Sequence, residues 1–256
     1  LHITVVYGTE HRGSTYHIAQ EVVRNIRGAE TEEIFLPRDL PEFCVGCLKC
    51  FTEEKGACAH AAYTAPIREK LLRADLIILT SPVYSFHVSG QMKAFLDHFA
   101  NMWIVHRPEA GMFRKQGLVI ATASGPVYRK TLGEMKDSLD FWGVARTYRI
   151  GGAVMQGRWE DVTDGIRDKL LKKAAKTAAR IEKRDGRVRP CLRVRKWFAI
   201  SRMMQKHIRA NPPDVAYWER MGWTGRARPW KTSPADPAGS RTGAAAPARK
   251  GKSADE

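Results

Sequence analysis

Five strand-like runs in this chain are each followed, directly or after a loop, by a segment whose apolar residues recur at helical spacing. That alternation limits the fold more than any other feature. The runs are HITVVYG (2–8), TEEIFL (31–36), ADLIILTSP (74–82), GLVIATASG (117–125) and RTYRIGGAVM (146–155). The helical segments are 14–26, with Ile18, Val22, Val23 and Ile26 on one face, then 63–73, 90–103, 130–143 and 160–183. On the last, Val162, Ile166, Leu170, Ala174, Ala178 and Ile181 share a face. The runs at 74–82 and 117–125 are apolar without alternation, as in strands buried on both sides. Repeated strand–helix alternation implies an α/β fold, a parallel sheet with helices on both faces. No internal repeat is present.

The rhythm stops after Arg184. We expect a domain over 1–183, a basic amphipathic extension over 184–223 and a disordered tail over 224–256 rich in Pro, Ala, Gly, Ser and Arg. The formal net charge is +16, and residues 184–256 carry 17 Lys/Arg against 6 Asp/Glu. Such charge attracts anions but does not specify a fold. The stretch 189–210 places Leu192, Val194, Trp197, Phe198, Met203, Met204 and Ile208 among Arg and Lys. We expect it to dock on the first domain or on a dimer mate, because PPDVAYWERMGW (212–223) adds more aromatics to bury. The rival is a helix lying on an anionic membrane. No nucleic-acid module is present. No apolar run reaches the roughly 20 residues of a membrane span, and the chain opens in a strand rather than a leader, so the expected compartment is the cytoplasm.

The loop YGTEHRGST (7–15) joins the first strand to the first helix, where α/β sheets hold ligand phosphates. Thr9, Ser14 and Thr15 offer hydroxyls, Gly13 lets the backbone approach closely and Arg12 brings charge. The loop has neither the P-loop pattern nor Gly-x-Gly-x-x-Gly. By itself it also reads as a turn that caps a helix. TSPVYSFHVSGQMKAFLDHF (80–99) and TASGP (122–126) follow the third and fourth strands. Together the three segments resemble the flavodoxin-like NAD(P)H-dependent FMN reductase family over roughly residues 2–183.

That resemblance implies a flavodoxin-like three-layer fold with a five-stranded parallel sheet, FMN as cofactor and NAD(P)H as co-substrate. It implies a small acceptor, such as a quinone or free flavin, and a homodimer or higher homo-oligomer. Thr9, His11, Arg12, Gly13, Ser14 and Thr15 would surround the phosphate. Pro82, Val83, Tyr84, Ser85 and Phe86 would line the flavin, and Ser124 and Gly125 would approach its ring. Tyr84 and Phe86 also read as ordinary loop aromatics, and Gly90 and Lys93 as residues that cap and solvate a helix. No catalytic acid or base is expected, since the cofactor carries the chemistry. The rival function is a non-catalytic flavodoxin-like electron carrier, against which the basic charge counts.

Four of the five cysteines stand as Cys44-x2-Cys47-x2-Cys50-x7-Cys58. The first three have the close spacing of bacterial iron–sulfur ligation, and the stretch resembles the iron–sulfur flavoprotein branch of the same group. That likeness implies a [4Fe–4S] cluster held by Cys44, Cys47, Cys50 and Cys58. The long last interval and the lack of a following Pro depart from the pattern. Tetrahedral zinc on the four thiolates and unmetallated thiols stay open. Cys191 reads as an isolated inert thiol, and His60 as a solvated histidine. Asp97 and His98, adjacent on a helix, cannot share a face. Trp103, Trp142 and Trp159 are read as packing residues, with flavin stacking as the alternative for Trp103.

Overall fold

The computed structural model describes residues 1–53 and 58–231. Within them a five-stranded sheet is built from β1 (His2–Tyr7), β2 (Glu30–Phe35), β3 (Leu76–Pro82), β4 (Gln116–Ala123) and β5 (Arg146–Ala153). The order is β2-β1-β3-β4-β5 and every pairing is parallel. The helices are α1 (Ser14–Arg24), α2 (Lys49–Thr52), α3 (Ala61–Arg73), α4 (Gly90–His98), α5 (Tyr128–Phe141), α6 (Asp164–Glu182), α7 (Leu192–Met203) and α8 (Pro212–Arg220). This is the flavodoxin-like three-layer fold that the alternation and the resemblance implied.

All eight residues of β4 are buried, as are all but the last of β3. Side chains alternate between the two faces of each strand. Val6, Ile77, Leu79, Val119 and Ala121 therefore pack against residues of α3, α4 and α5. Ile3, Val5, Ile78, Leu118 and Ile120 pack against α1 and α6 on the opposite face. On α6, Leu170, Ala174, Ala178 and Ile181 are buried, as their spacing predicted, while the helix begins at Asp164 rather than 160. The segment read as helix to 103 leaves the α-helix after His98 and continues as a 3₁₀ turn, Ala100–Met102.

The chain crosses to opposite sides of β1 to form β2 and then β3, so the switch point lies between β1 and β3. Loops at the C-terminal ends of the strands meet there.

The region beyond α6 builds a third apolar cluster. Val194 and Phe198 of α7, Tyr217 and Trp218 of α8, and Trp223 pack on Ile104 and Phe113. The buried stripe is narrower than the composition suggested, because Leu192, Met203 and Ile208 are exposed. After α7 the chain makes a π-helical turn, Met204–Ile208, ending at Arg209 in the left-handed region. The expected disordered tail needs one correction. Trp230 packs against the third cluster, past the expected boundary at 224. Trp230 is partly buried there, since a large aromatic ring gains by covering apolar surface. The rest of the expected tail, residues 232–256, lies outside the described residues. No helix among the described residues is long and apolar enough to cross a membrane.

Candidate functional site

A cleft of about 200 Å3 opens at the switch point, lined by the loops after β1, β3, β4 and β5. Thr9, His11, Gly13, Ser14, Thr15, Pro82, Val83, Tyr84 and Ser124 line it, and all nine stood among the expected cofactor residues. Thr122, Ala123, Val154, Gln156 and Gly157 also line it and were not anticipated. Position, not residue type, would have revealed them, since a fifth parallel strand beside β4 must end at the same edge. No carboxylate is among the lining residues.

The helices that follow β1 and β3, α1 and α4, differ in how their N-termini are satisfied. At α4, Ser89 Oγ accepts the Met92 N–H at 3.2 Å and donates to Gly8 O at 2.6 Å. The Ser89 N–H in turn donates to Ser81 Oγ at 2.9 Å. That end is spent on holding the loops after β1 and β3 together. At α1, the N-cap is Gly13, which has no side chain to cap with, and the first turn carries no acidic residue. No side chain caps its first N–H groups, which open toward the cleft edge as at helix ends able to receive an anion. A Cβ at Gly13 would lie 2.8 Å from the His11 ring.

Four expected residues fall outside the cleft lining. The Arg12 guanidinium lies over the rings of Tyr16 and Phe35, 5.4 and 5.6 Å from their centroids. Cation–π attraction to two rings holds it there. Ser85 and Phe86 form the tip of a hairpin closed by Tyr84 N–H to His87 O at 3.0 Å and His87 N–H to Tyr84 O at 2.9 Å. Both tip residues have positive φ, 48° and 68°. Two left-handed central residues make a two-residue hairpin turn, and Phe86 is left 66% exposed. Gly125 follows Ser124 but is not part of the lining.

The described part of the cysteine stretch, 44–53 and 58, follows β2. Cys44, Cys47, Cys50 and Cys58 all border one small cavity of about 40 Å3, together with His60 and His98. Gly46 and Leu48 have positive φ, 65° and 59°. A left-handed leucine costs about 1–2 kcal/mol, so the loop needs external anchors. Arg107, nearly buried, donates to Cys50 O at 2.6 Å and to Glu53 O at 2.7 Å. Asn211 donates to Phe51 O at 3.2 Å. Asp214, also buried, pairs with His106 Nδ1 at 2.9 Å and lies 3.4 Å from Arg107 Nε. Burial raises the Cys50 thiol above its ordinary pKa, and the Cys58, Cys44 and Cys47 sulfurs raise it further. His60 is not simply solvated, because its Nδ1 lies 3.0 Å from His98 Nε2. Neither that contact nor the Arg107 anchor carries a local sequence signal. Trp142 is fully buried, and Trp103 stacks on Phe141 at 4.8 Å.

Residues 1–153 match the model of a family described as NADPH-dependent FMN reductase. An iron-sulfur flavoprotein of Archaeoglobus fulgidus is 29% identical over 156 residues, 60% of this chain and 65% of that protein. The chain thus spans just under two thirds of that relative. An FMN-dependent NADH:quinone oxidoreductase of Hydrogenovibrio crunogenus is 25% identical over 145 residues, covering 51% of this chain and 72% of the relative. Among solved structures, an FMN-dependent NADH-azoreductase from Bacillus anthracis superposes with a TM-score of 0.52 at 11% identity. That superposition covers 71% of this chain and 100% of the azoreductase, and it shows the common fold. With the family model matched over more than half its length, the chain belongs to the NADPH-dependent FMN reductase family.

Proposed function

We propose that the switch-point cleft binds FMN with its phosphate on the N-terminus of α1. On this reading the chain takes electrons from a nicotinamide cofactor and passes them to a small acceptor such as a quinone or free flavin. The observation that carries it is the contrast between the two helix starts. The α4 end is capped by Ser89, whereas the α1 end is uncapped and borders a cleft lined without carboxylates. The N–H groups of the first α1 turn and the hydroxyls of Thr9, Ser14 and Thr15 would hold the phosphate. Pro82, Val83, Tyr84 and Ser124 would border the ring system, and Tyr84, half exposed, offers it a flat face. Arg12 is close enough along the loop to swing from its aromatic pair to the phosphate. When bound, FMN supplies hydride acceptance and electron donation, and the protein orients it.

We further infer that Cys44, Cys47, Cys50 and Cys58 hold a [4Fe–4S] cluster. The cysteine spacing and the likeness to an iron-sulfur flavoprotein support this. Such a cluster would supply one-electron transfer.

Steady-state NAD(P)H oxidation by the purified, FMN-loaded protein tests the reductase reading. Turnover with a quinone or flavin acceptor is expected. Tight FMN binding without turnover on any of several acceptors would instead make the chain an electron carrier. Iron and sulfide assays on anaerobically purified protein test the cluster separately.

A further inference from the structure

Where the cysteine loop rests on α4, three side chains able to ligate a metal converge. Cys58 Sγ and one ring nitrogen each from His60 and His98 lie within 4.8 Å of one another. His98 is buried, and its Nδ1 is 2.8 Å from Ala94 O. A carbonyl can only accept, so Nδ1 carries the proton and Nε2 is the nitrogen turned toward His60. His60 Nδ1 lies 3.0 Å from that Nε2. The His60 N–H donates to Cys58 Sγ at 3.4 Å, holding the thiol beside the two rings. Cys50 borders the same small cavity as these three residues.

An imidazole whose far nitrogen is tied to a backbone carbonyl is oriented as metal-binding histidines are. Two ligands at roughly 2.0–2.1 Å from a tetrahedral zinc ion stand about 3.3 Å apart. The two ring nitrogens at 3.0 Å are therefore close to ligand spacing already. We propose that Cys58, His60 and His98 bind a mononuclear Zn2+ ion, with Cys50 closing in from the wall of the same cavity as the fourth ligand. Its ligand set differs from the four thiolates of the cysteine motif. It shares Cys50 and Cys58 with the cluster set and leaves out Cys44 and Cys47, both exposed. Zinc and a cluster thus exclude each other on one chain. The zinc site therefore forms on chains that have not received the cluster.

The test uses full-length, reduced, metal-free protein titrated with Co2+ and then Zn2+. One equivalent of cobalt is expected, with tetrahedral d–d bands and thiolate charge transfer, displaced by zinc. His60→Gln and His98→Gln should each weaken binding by more than about 10-fold, the lower end of the loss seen even for outer-sphere partners. Cys44→Ser and Cys47→Ser should leave it unchanged. The reverse pattern, or no tight cobalt or zinc binding, overturns the proposal. His98 is buried, so circular dichroism and FMN binding accompany each variant. X-ray absorption on the zinc-loaded wild-type chain decides if a variant fails to fold. Two nitrogens near roughly 2.0–2.1 Å with two sulfurs near about 2.3 Å support the site, and a four-sulfur shell refutes it.

Discussion

Gly8 ends β1 with its N–H on Thr80 O at 2.8 Å, and its backbone lies too close to β3 for a side chain. A Cβ there would lie 2.7 Å from Thr80 O and 2.9 Å from Ser89 Oγ, both held in hydrogen bonds. Gly8→Ala is expected to cost about 1–3 kcal/mol, the range for overpacking a filled interior, read from denaturant unfolding. One residue on, Thr9 Oγ1 accepts the His11 N–H at 3.2 Å. Thr9→Asp can keep that bond while adding a negative charge at the cleft. Like charges about 4 Å apart near a protein surface repel by about 4 kcal/mol. FMN affinity should therefore fall by more than about 10-fold (about 1.4 kcal/mol), while riboflavin, which lacks the phosphate, binds nearly as before. Equal losses for both ligands would place the phosphate elsewhere. Lys115 is buried and donates to Leu72 O at 2.7 Å and to Ala74 O. Burial lowers its pKa from 10.5 to about 8. Between those values the unfolded chain keeps a proton that the folded chain has lost, so Lys115 makes stability rise with pH across that window. The unfolding free energy of wild type relative to Lys115→Met should climb from about pH 8 to 10.5 and be level below it. A pH-independent difference would exclude this.

At the scale of elements, α2 and α8 depend on each other through side chains from the segment between α4 and β4. Arg107 holds the carbonyls at the end of α2, Asp214 in the first turn of α8 faces Arg107, and His106 completes the group. Removing one member of a buried ion pair costs about 3–5 kcal/mol because its partner stays charged and uncompensated. Asp214→Ala should lose stability of that order and speed alkylation of Cys50 by iodoacetamide under native conditions. Unchanged alkylation would mean that α8 does not brace the loop. The sequence showed the cysteine spacing but none of this bracing. Cys50 and Arg107 are 57 positions apart and Phe51 and Asn211 are 160 apart, and periodicity reports only neighbours. The same limit hid His98 as the partner of His60. Arg12 lies outside the cleft lining because its guanidinium rests over Phe35, which comes from β2 and could not be read locally. Ser85 and Phe86 lie outside the cleft lining, at the tip of a turn with positive φ that nothing in their side chains marks.

For the molecule as a whole, the sheet was legible from its own strands. The runs in β3 and β4 had to be buried on both faces, and parallel strands must bring their C-terminal loops to one edge, where most of the expected cofactor residues lie. The extension was legible as a docked element but not by its contacts. Its aromatic side chains cover Ile104 and Phe113 of the domain. Removing residues 189–256 should therefore increase binding of an apolar dye and lower the melting temperature. A truncated chain that melts as the full one does would show the third cluster to be dispensable. The bracing also bears on how the chain is made. A ribosome passes Phe51 160 residues before it reaches Asn211. At about 5–20 residues per second that interval is roughly 8–30 s. A metal or cluster inserted during that interval meets a loop without its brace, and one inserted afterwards meets the finished frame. What the loop finally holds thus depends on the timing of delivery as well as on affinity.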